Sequence, residues 1–359
     1  MKILVFTKYS RLGASSRQRS FQYELYWKEK GVHITYQSLF DDRYLKRLYQ
    51  GEQVGFLVFV AYLKRLFSLV KVSRYELVII EKELFPYLPA WAEYFLKLGK
   101  IPFIVDYDDA IFHNYDQHSN YWIRTFLGRK IRQVMRYASR SVVGNAYLAD
   151  YAQRSDAKAI HIIPTTVPLE RYIHSQITPQ PNSKFVIGWI GTPSTFQKHY
   201  VPCLPWMQEL LQHDAELEFR LIGIDPQAIS SPLGSGFVFK KWTEASEAEE
   251  IAQFDIGIMP LTASPWDQGK CAYKLIQYAA MKIPMLAADV GMNNEVCVDG
   301  QSGFLIDSDA EWKTQILNLK NNPVLRKELG EAAFQIVAEK FTTEQGFSLW
   351  WDVVSDCWN

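Results

Sequence analysis

The sequence is short of the features that would staple, span or charge it. It has only four cysteines, Cys203, Cys271, Cys297 and Cys357, and they show no paired or metal-ligand spacing. That excludes a disulfide scaffold and a Cys-based zinc module, and it fits reduced thiols in a cytosolic protein. No apolar run approaches the ~18 residues a membrane-spanning helix needs. The opening MKILVF is too short an apolar run for a secretory leader and reads as a first strand. A full Gly-rich dinucleotide fingerprint is absent. Net charge is lacking as well, since 39 Lys and Arg balance 39 Asp and Glu. No nucleic-acid motif accompanies the basic stretches, so no nucleic-acid partner is expected.

What is present is ample apolar material. Apolar residues make up 48% of the chain and aromatics 14%, enough for real cores and against disorder. The 359 residues suit two domains of ordinary size. The charge is unevenly placed: residues 1–175 hold 26 Lys and Arg against 16 Asp and Glu, and the remainder 13 against 23. Two readings stand side by side. One is a surface that meets anions, either lipid headgroups or a phosphorylated acceptor; the other is mutual attraction of two domains across a cleft.

Short buried-type strands alternate with helical stretches, as in a parallel α/β sheet. Strands are expected at Lys2–Thr7, His33–Tyr36, Glu76–Glu81, Ile101–Asp106, Ser141–Asn145 and Ile160–Pro164. The loop Lys8–Arg19, KYSRLGASSRQR, joins the first strand to a helix expected near Gln18. Gly13 permits close approach there, and Ser15, Ser16 and Arg17 offer donors to an anion. A solvated basic turn is the plainer alternative. FLVFVAYLKRLFSLV, residues 56–70, reads as a core helix in preference to one lying at a membrane surface. Asp106, Asp108 and Asp109 crowd the end of a strand, which is costly without water, a cation or a substrate. Asp109 as a helix cap is the structural alternative. Tyr121–Arg140 reads as one amphipathic helix with six basic residues and no acid. Such a face suits an anionic membrane, although a plain solvent face is the commoner use.

HSQITPQPNSK, residues 174–184, is polar with two prolines and reads as an interdomain linker. The pattern then restarts with FVIGWIGTPST, a strand running into a turn where Gly191 and Thr192 can present donors. Lys198 is the one basic side chain in the dozen residues after that turn. Further strands are expected at Phe219–Gly223, Gly236–Lys240 and Asp255–Leu261. Trp242 either stacks on a planar ligand or packs as core. A helix through Lys274, Leu275, Gln277, Tyr278 and Met281 ends at Pro284, which cannot continue it. Met285–Val290 is a buried strand, and Gly291 turns the chain into Asn293, Asn294 and Glu295. Helices follow at Glu311–Leu319 and Pro323–Lys340. Trp350, Trp351 and Trp358 close the chain as candidate packing anchors.

Lys274-x-x-Gln277-Tyr-x-x-Met-x-x-Pro284, then Asp289-x-Gly291-x-x-x-Glu295 and Asp299-Gly300-x-x-Gly303-Phe, resembles the donor-site signature of family-four retaining glycosyltransferases. The resemblance is specific over Asp255–Phe304 and diffuse over residues 1–170. That family carries two glutamates spaced as positions 269 and 277 are here; this chain has Gly269 and Gln277 instead. In the family the second glutamate holds the nucleotide ribose, which Gln277 can still do as donor and acceptor. The first contacts the sugar; Asp267 or Lys270 stands nearest to replace it.

The resemblance implies the GT-B fold: two Rossmann-like parallel-sheet α/β domains facing a cleft, with a C-terminal helix crossing back to the first. The expected bounds are 1–173 for the acceptor domain, 174–184 for the linker, 185–340 for the nucleotide-sugar domain and 341–359 for the crossover helix. It implies transfer from a nucleotide-diphosphate sugar, used as co-substrate with no bound cofactor or metal, to a glycan or lipid-linked acceptor. Gly13, Arg17, Gly191, Thr192, Lys198, Trp242, Asp267, Lys270, Lys274, Gln277 and Glu295 are the implied donor contacts. Ser15, Ser16, Asp108, Asp109, His113 and His118 are the implied acceptor contacts. Lys270, Lys274, Asp108 and Asp109 are placed closest to the chemistry. The cysteine usage leads to a cytoplasmic setting as the expectation, and the basic stretch Tyr121–Arg140 adds the inner face of an anionic membrane as a surface it would meet. A sugar-nucleotide epimerase of the same architecture and a non-catalytic sugar-nucleotide binder are the competing readings.

Overall fold

The computed structural model describes residues 1–173, 184–226, 229 and 233–357. The expected linker, apart from Lys184, and Trp358 lie outside the described residues. The chain divides into two compact units. The first comprises Met1–Thr165, Gln268–Cys271 and Thr343–Asn359; the second comprises Thr166–Asp267 and Ala272–Thr342.

The first unit is built on a parallel sheet of β1 (Lys2–Tyr9), β2 (His33–Phe40), β3 (Leu77–Glu81), β4 (Phe103–Tyr107), β5 (Arg140–Val143) and β6 (Ile160–Ile162). Among the described residues its order is β2-β1-β3-β4-β5-β6. LVIIE and FIVDY are buried along their whole length, as central strands covered on both faces must be. The direction of strand addition reverses between β1 and β3. Open α/β sheets leave a ligand crevice at the carboxyl ends beside such a reversal. Ile3, Val5, Ile79, Ile104 and Val142 form the core with Trp27, Phe347 and Trp350. Phe347 and Trp350 lie on the last helix, Thr343–Ser355, so this helix completes the first unit's core. The Phe347 ring meets Trp27 edge-on at 4.7 Å.

Two helical expectations in this unit are corrected. The helix Gly55–Leu69 is not a core helix: only Ala61 and Arg65 are buried, and its apolar residues otherwise reach half-burial or solvent. Tyr121–Arg140 is not one helix but two, Tyr121–Leu127 and Lys130–Tyr137, followed by β5 from Arg140. The break falls at Gly128, a poor helix former. Ile131, Val134 and Met135 of the expected apolar face are buried, whereas Phe126 is exposed.

The second unit repeats the architecture with β7 (Phe185–Ile190), β8 (Leu217–Ile222), β9 (Phe237–Lys240), β10 (Ile256–Met259), β11 (Met285–Ala288) and β12 (Gly303–Ile306). Its described strands run parallel in the order β12-β11-β10-β7-β8-β9, the doubly wound arrangement. Reversal here falls between β7 and β10. The helix expected from Lys274 spans Tyr273–Ala280 and stops before Pro284; a helix of four residues, Asn293–Val296, follows β11. Trp189, Trp206, Phe219, Ile258, Leu286 and Trp312 centre the core.

Candidate functional site

In the first unit the carboxyl ends of β1, β3 and β4 converge on a charged cluster. Gly13 caps the helix Ala14–Arg19, and a Cβ there would stand 2.4 Å from the Cβ of Tyr9, so only glycine lets this turn close on β1. The helix then delivers two serines inward. Ser16 Oγ accepts from the Tyr9 amide at 3.0 Å, and Ser15 Oγ donates to Asp108 Oδ2 at 2.6 Å. Arg17 turns back on its own loop, donating to the carbonyls of Arg11 and Leu12 at 3.3 and 3.4 Å.

The three carboxylates at the end of β4 are sorted by their cations. Asp106 is buried and takes a two-pronged bond from Arg19, with Nε at 3.0 Å and Nη2 at 2.5 Å. Arg19 also donates to the Ile163 carbonyl at 2.7 Å. Burial opposes the guanidinium charge, but Asp106 outweighs it and raises the Arg19 pKa. Lys82, also buried, directs Nζ to Asp108 Oδ1 at 3.0 Å and to Asp109 Oδ2 at 3.6 Å. Burial would push the Asp108 carboxyl up; Lys82, then Arg19, overcome this and hold it at about 2. Glu81 beside it is raised, first by burial and with Asp108 adding to the effect.

Lys82 has φ 66°, a left-handed conformation that costs a non-glycine residue about 1 kcal/mol or more and clusters at functional positions. Neither Arg19 nor Lys82 was flagged by the sequence. Lys82 stands straight after the apolar strand LVIIE, a position that by itself does not separate a buried cation from a solvated one.

Asp109 meets Lys270 Nζ at 3.9 Å and does not cap the next helix, His113–Asp116, whose cap position is Phe112. Cys271 donates to the Asp108 carbonyl at 3.1 Å, and Asn145 Nδ2 donates to the Lys270 carbonyl at 3.1 Å. Gly269 has no room for a side chain: a Cβ would lie 2.5 Å from the Cβ of Ala110 and 2.7 Å from its nitrogen. His113 has both ring nitrogens engaged, with Asp116 Oδ1 and Tyr147 OH, each at 2.9 Å. His118 lies apart on an exposed turn, its Nδ1 accepting from the Asn120 amide at 2.9 Å.

In the second unit the turn after β7 is capped by Thr192. The Gly191 amide donates to the Ile222 carbonyl at 3.1 Å and the Thr192 amide to Thr195 Oγ1 at 3.0 Å. The hydroxyls of Thr192 and Ser194 lie 3.1 Å apart in this turn and bond each other. Lys198 and the buried His199 both reach Asp267 Oδ1, at 3.1 and 3.3 Å. Thr262 and Ser264 donate to the other oxygen of Asp267. Burial opposes the charge of Asp267, but these hydrogen bonds keep its pKa below the ordinary value. His199 escaped the sequence reading; it sits one position after Lys198.

Lys274 lies in the first turn of the Tyr273–Ala280 helix, its Nζ 5.6 Å from the centre of the Trp189 ring. Ala272, just before that helix, is left-handed at φ 48°. Deeper in, Gln277 Nε2 donates to Tyr172 OH at 3.0 Å, and Tyr172 donates to Glu247 Oε1 at 2.9 Å. Trp242 Nε1 donates to Glu247 Oε2 at 2.7 Å, which fixes the indole edge and leaves the residue half-buried. Glu295 is exposed on the Asn293–Val296 helix. Among the described residues, no group of three His, Cys, Asp or Glu side chains is placed to hold a metal ion.

Residues 184–322 match the model of a family described as glycosyl transferases group 1. The match and the paired parallel sheets define the class: a GT-B-fold enzyme, a glycosyltransferase. Particular solved structures resemble the whole chain. The sucrose-phosphate synthase of Thermosynechococcus elongatus has a TM-score of 0.74 at 12% identity, with 100% of this chain and 99% of that one covered. Alr3699/HepE of Anabaena, solved in complex with UDP, has a TM-score of 0.68 at 13% identity, with 99% and 100% covered. A glycosyltransferase from Rickettsia africae has a TM-score of 0.70 at 14% identity, with 100% and 98% covered. At such identities the likeness is one of fold. No curated protein is similar in sequence.

Proposed function

We propose that this protein is a retaining glycosyltransferase that moves a sugar from a nucleoside-diphosphate sugar to a glycan or lipid-linked acceptor without a metal ion. The observation that carries the reading is the group 1 match over residues 184–322, with Lys274 and the Lys198–Asp267–His199 cluster in the second unit. The bond between the anomeric carbon and the diphosphate oxygen breaks. The acceptor oxygen bonds to the same face of that carbon, and its proton passes to the departing phosphate. Catalysis then rests on stabilising charge on that phosphate. Lys274, Lys198 and the hydroxyls of Thr192 and Ser194, all in the second unit, are the groups assigned to it. Gln277, Trp242 and Glu295 are assigned to the nucleoside side of the donor. The first unit is assigned the acceptor, with Asp108, Asp109 and Ser15 as hydroxyl contacts. UDP in the Anabaena relative supports a nucleoside diphosphate as the leaving group here. A cytoplasmic enzyme at the inner membrane face fits a lipid-linked acceptor.

Gly269 and Gln277, which stand where two glutamates would, support one competing reading, a sugar-nucleotide binder without turnover. A thermal-shift screen against nucleoside diphosphates, followed by incubation with radiolabelled nucleotide sugars and a lipid-linked or glycan acceptor, separates the two. A diphosphate that stabilises and a labelled product support transfer. Stabilisation with no product supports the binder, and no stabilisation by any nucleotide overturns both.

A further inference from the structure

The helix Gly55–Leu69 is turned inside out. Its inner face carries Val58, Ala61, Tyr62 and Arg65, and it packs Ala61 against Leu39 and Phe40. Arg65 is wholly buried and sets the rotation. Its Nη2 donates to the carbonyls of Thr7 and Gln37 at 2.7 and 3.0 Å, and its guanidinium lies 4.7 Å from the centre of the Phe6 ring. A buried guanidinium must hold such partners, so the side of the helix opposite Arg65 is forced outward. That side repeats at helical spacing as Phe56, Phe59, Leu63, Phe67 and, just past the helix end, Val70. Phe56 is 77% exposed, Phe59 61%, Phe67 70% and Val70 79%. Next to Phe67 and Val70 a groove of about 430 Å³, bordered by Leu4, Tyr36 and Tyr75, extends the apolar surface.

Charge decides what covers this stripe. The segment 53–75 contains no acidic residue, while Lys64, Lys71 and Arg74 are exposed along it. A second copy of the chain would bring like charges together. A bilayer with anionic headgroups takes aromatic side chains at the headgroup level and cations beside them. We propose that the outward stripe of the Gly55–Leu69 helix, with Lys64, Lys71 and Arg74 on its flanks, docks this protein on an anionic bilayer surface. The helix lies in the interface and does not cross it; among the described residues no helix is long and apolar enough to span. This goes beyond the transfer reading, and its test uses no transfer, so each can fail without the other.

The test is co-sedimentation of the full chain with vesicles of phosphatidylcholine alone, and of phosphatidylcholine and phosphatidylglycerol in equal parts. The wild type pellets with the mixed vesicles and stays largely in solution with the neutral ones. Phe56→Ser/Phe59→Ser/Phe67→Ser lowers partitioning on the order of tenfold or more. Its melting temperature is unchanged or higher, because these rings are already in solvent. Lys64→Glu/Lys71→Glu lowers partitioning to the mixed vesicles while keeping the apolar stripe. A wild type that ignores the mixed vesicles overturns the proposal, as does a triple serine variant that binds them equally well. A concentration-dependent dimer that the triple variant loses, without vesicle binding, assigns the stripe to a second copy and overturns it too.

Discussion

Gln277 gives a hydrogen of its side-chain amide to the hydroxyl of Tyr172 at 3.0 Å, and that hydroxyl spends its only proton on Glu247. The site is thus fitted to an amide at position 277. A carboxylate there would have no proton to receive from Tyr172 and would stand in the dark of the core near a second carboxylate. Gln277→Glu is therefore expected to destabilise the fold by roughly 1–3 kcal/mol, and more at pH 8 than at pH 5, where the added acid is protonated. Urea denaturation at the two pH values checks this. Equal stability of wild type and variant at both would show that the amide is not required.

Gly269 carries a related expectation. The Ala110 backbone occupies the space of its missing side chain. Gly269→Ala should cost about 1–3 kcal/mol through overpacking, read as a lowered urea midpoint with the denaturant slope unchanged. A neutral alanine would mean that Ala110 can move aside.

Lys82 is the cation that keeps Asp108 ionised. The Asp108 carboxyl titrates at about 2 in the folded protein against an ordinary 3.8. A depressed carboxyl pKa stabilises the fold above the unfolded value, and that contribution is lost as pH falls from near 4 through about 2. Lys82→Met takes from Asp108 its ammonium partner, leaves Asp109 with only Lys270, and should cost about 3–5 kcal/mol at pH 7. The penalty should shrink as the carboxyls protonate. Acid unfolding curves of the two proteins decide it; a penalty independent of pH would rule the ion pair out as its cause.

Lys274→Ala should lower transfer by on the order of a hundredfold or more while leaving the melting temperature within a degree or two. Turnover by the variant at the wild-type rate would remove Lys274 from the donor site.

The two α/β repeats and their order were readable because each central strand is a compact apolar run. VIGWI, IGIM and MLAA read as buried strands whatever surrounds them. The site was readable in part. Lys274, Gln277 and Asp267 lie in a patterned stretch, and the structure shows what each touches. Arg19, Lys82 and His199 were not found, since nothing local separates a buried cation from a solvated one. Their partners Asp106, Asp108 and Asp267 lie 87, 26 and 68 positions away along the chain. Expecting a core helix at residues 56–70 failed for the same reason. An apolar helix with a single buried arginine can turn either face inward, and the carbonyls of Thr7 and Gln37 choose.

By itself the sequence determined the class of fold. Hydrophobic period, strand length and the placing of glycine and proline are local properties that act before any long-range contact forms. Tertiary structure alone decided which charges pair, which amide hydrogens the turn after β7 has already spent, and which side of the Gly55–Leu69 helix meets the outside. Those outcomes depend on the desolvation of groups brought together from distant parts of the chain, and desolvation is a property of the folded surroundings and not of the residue.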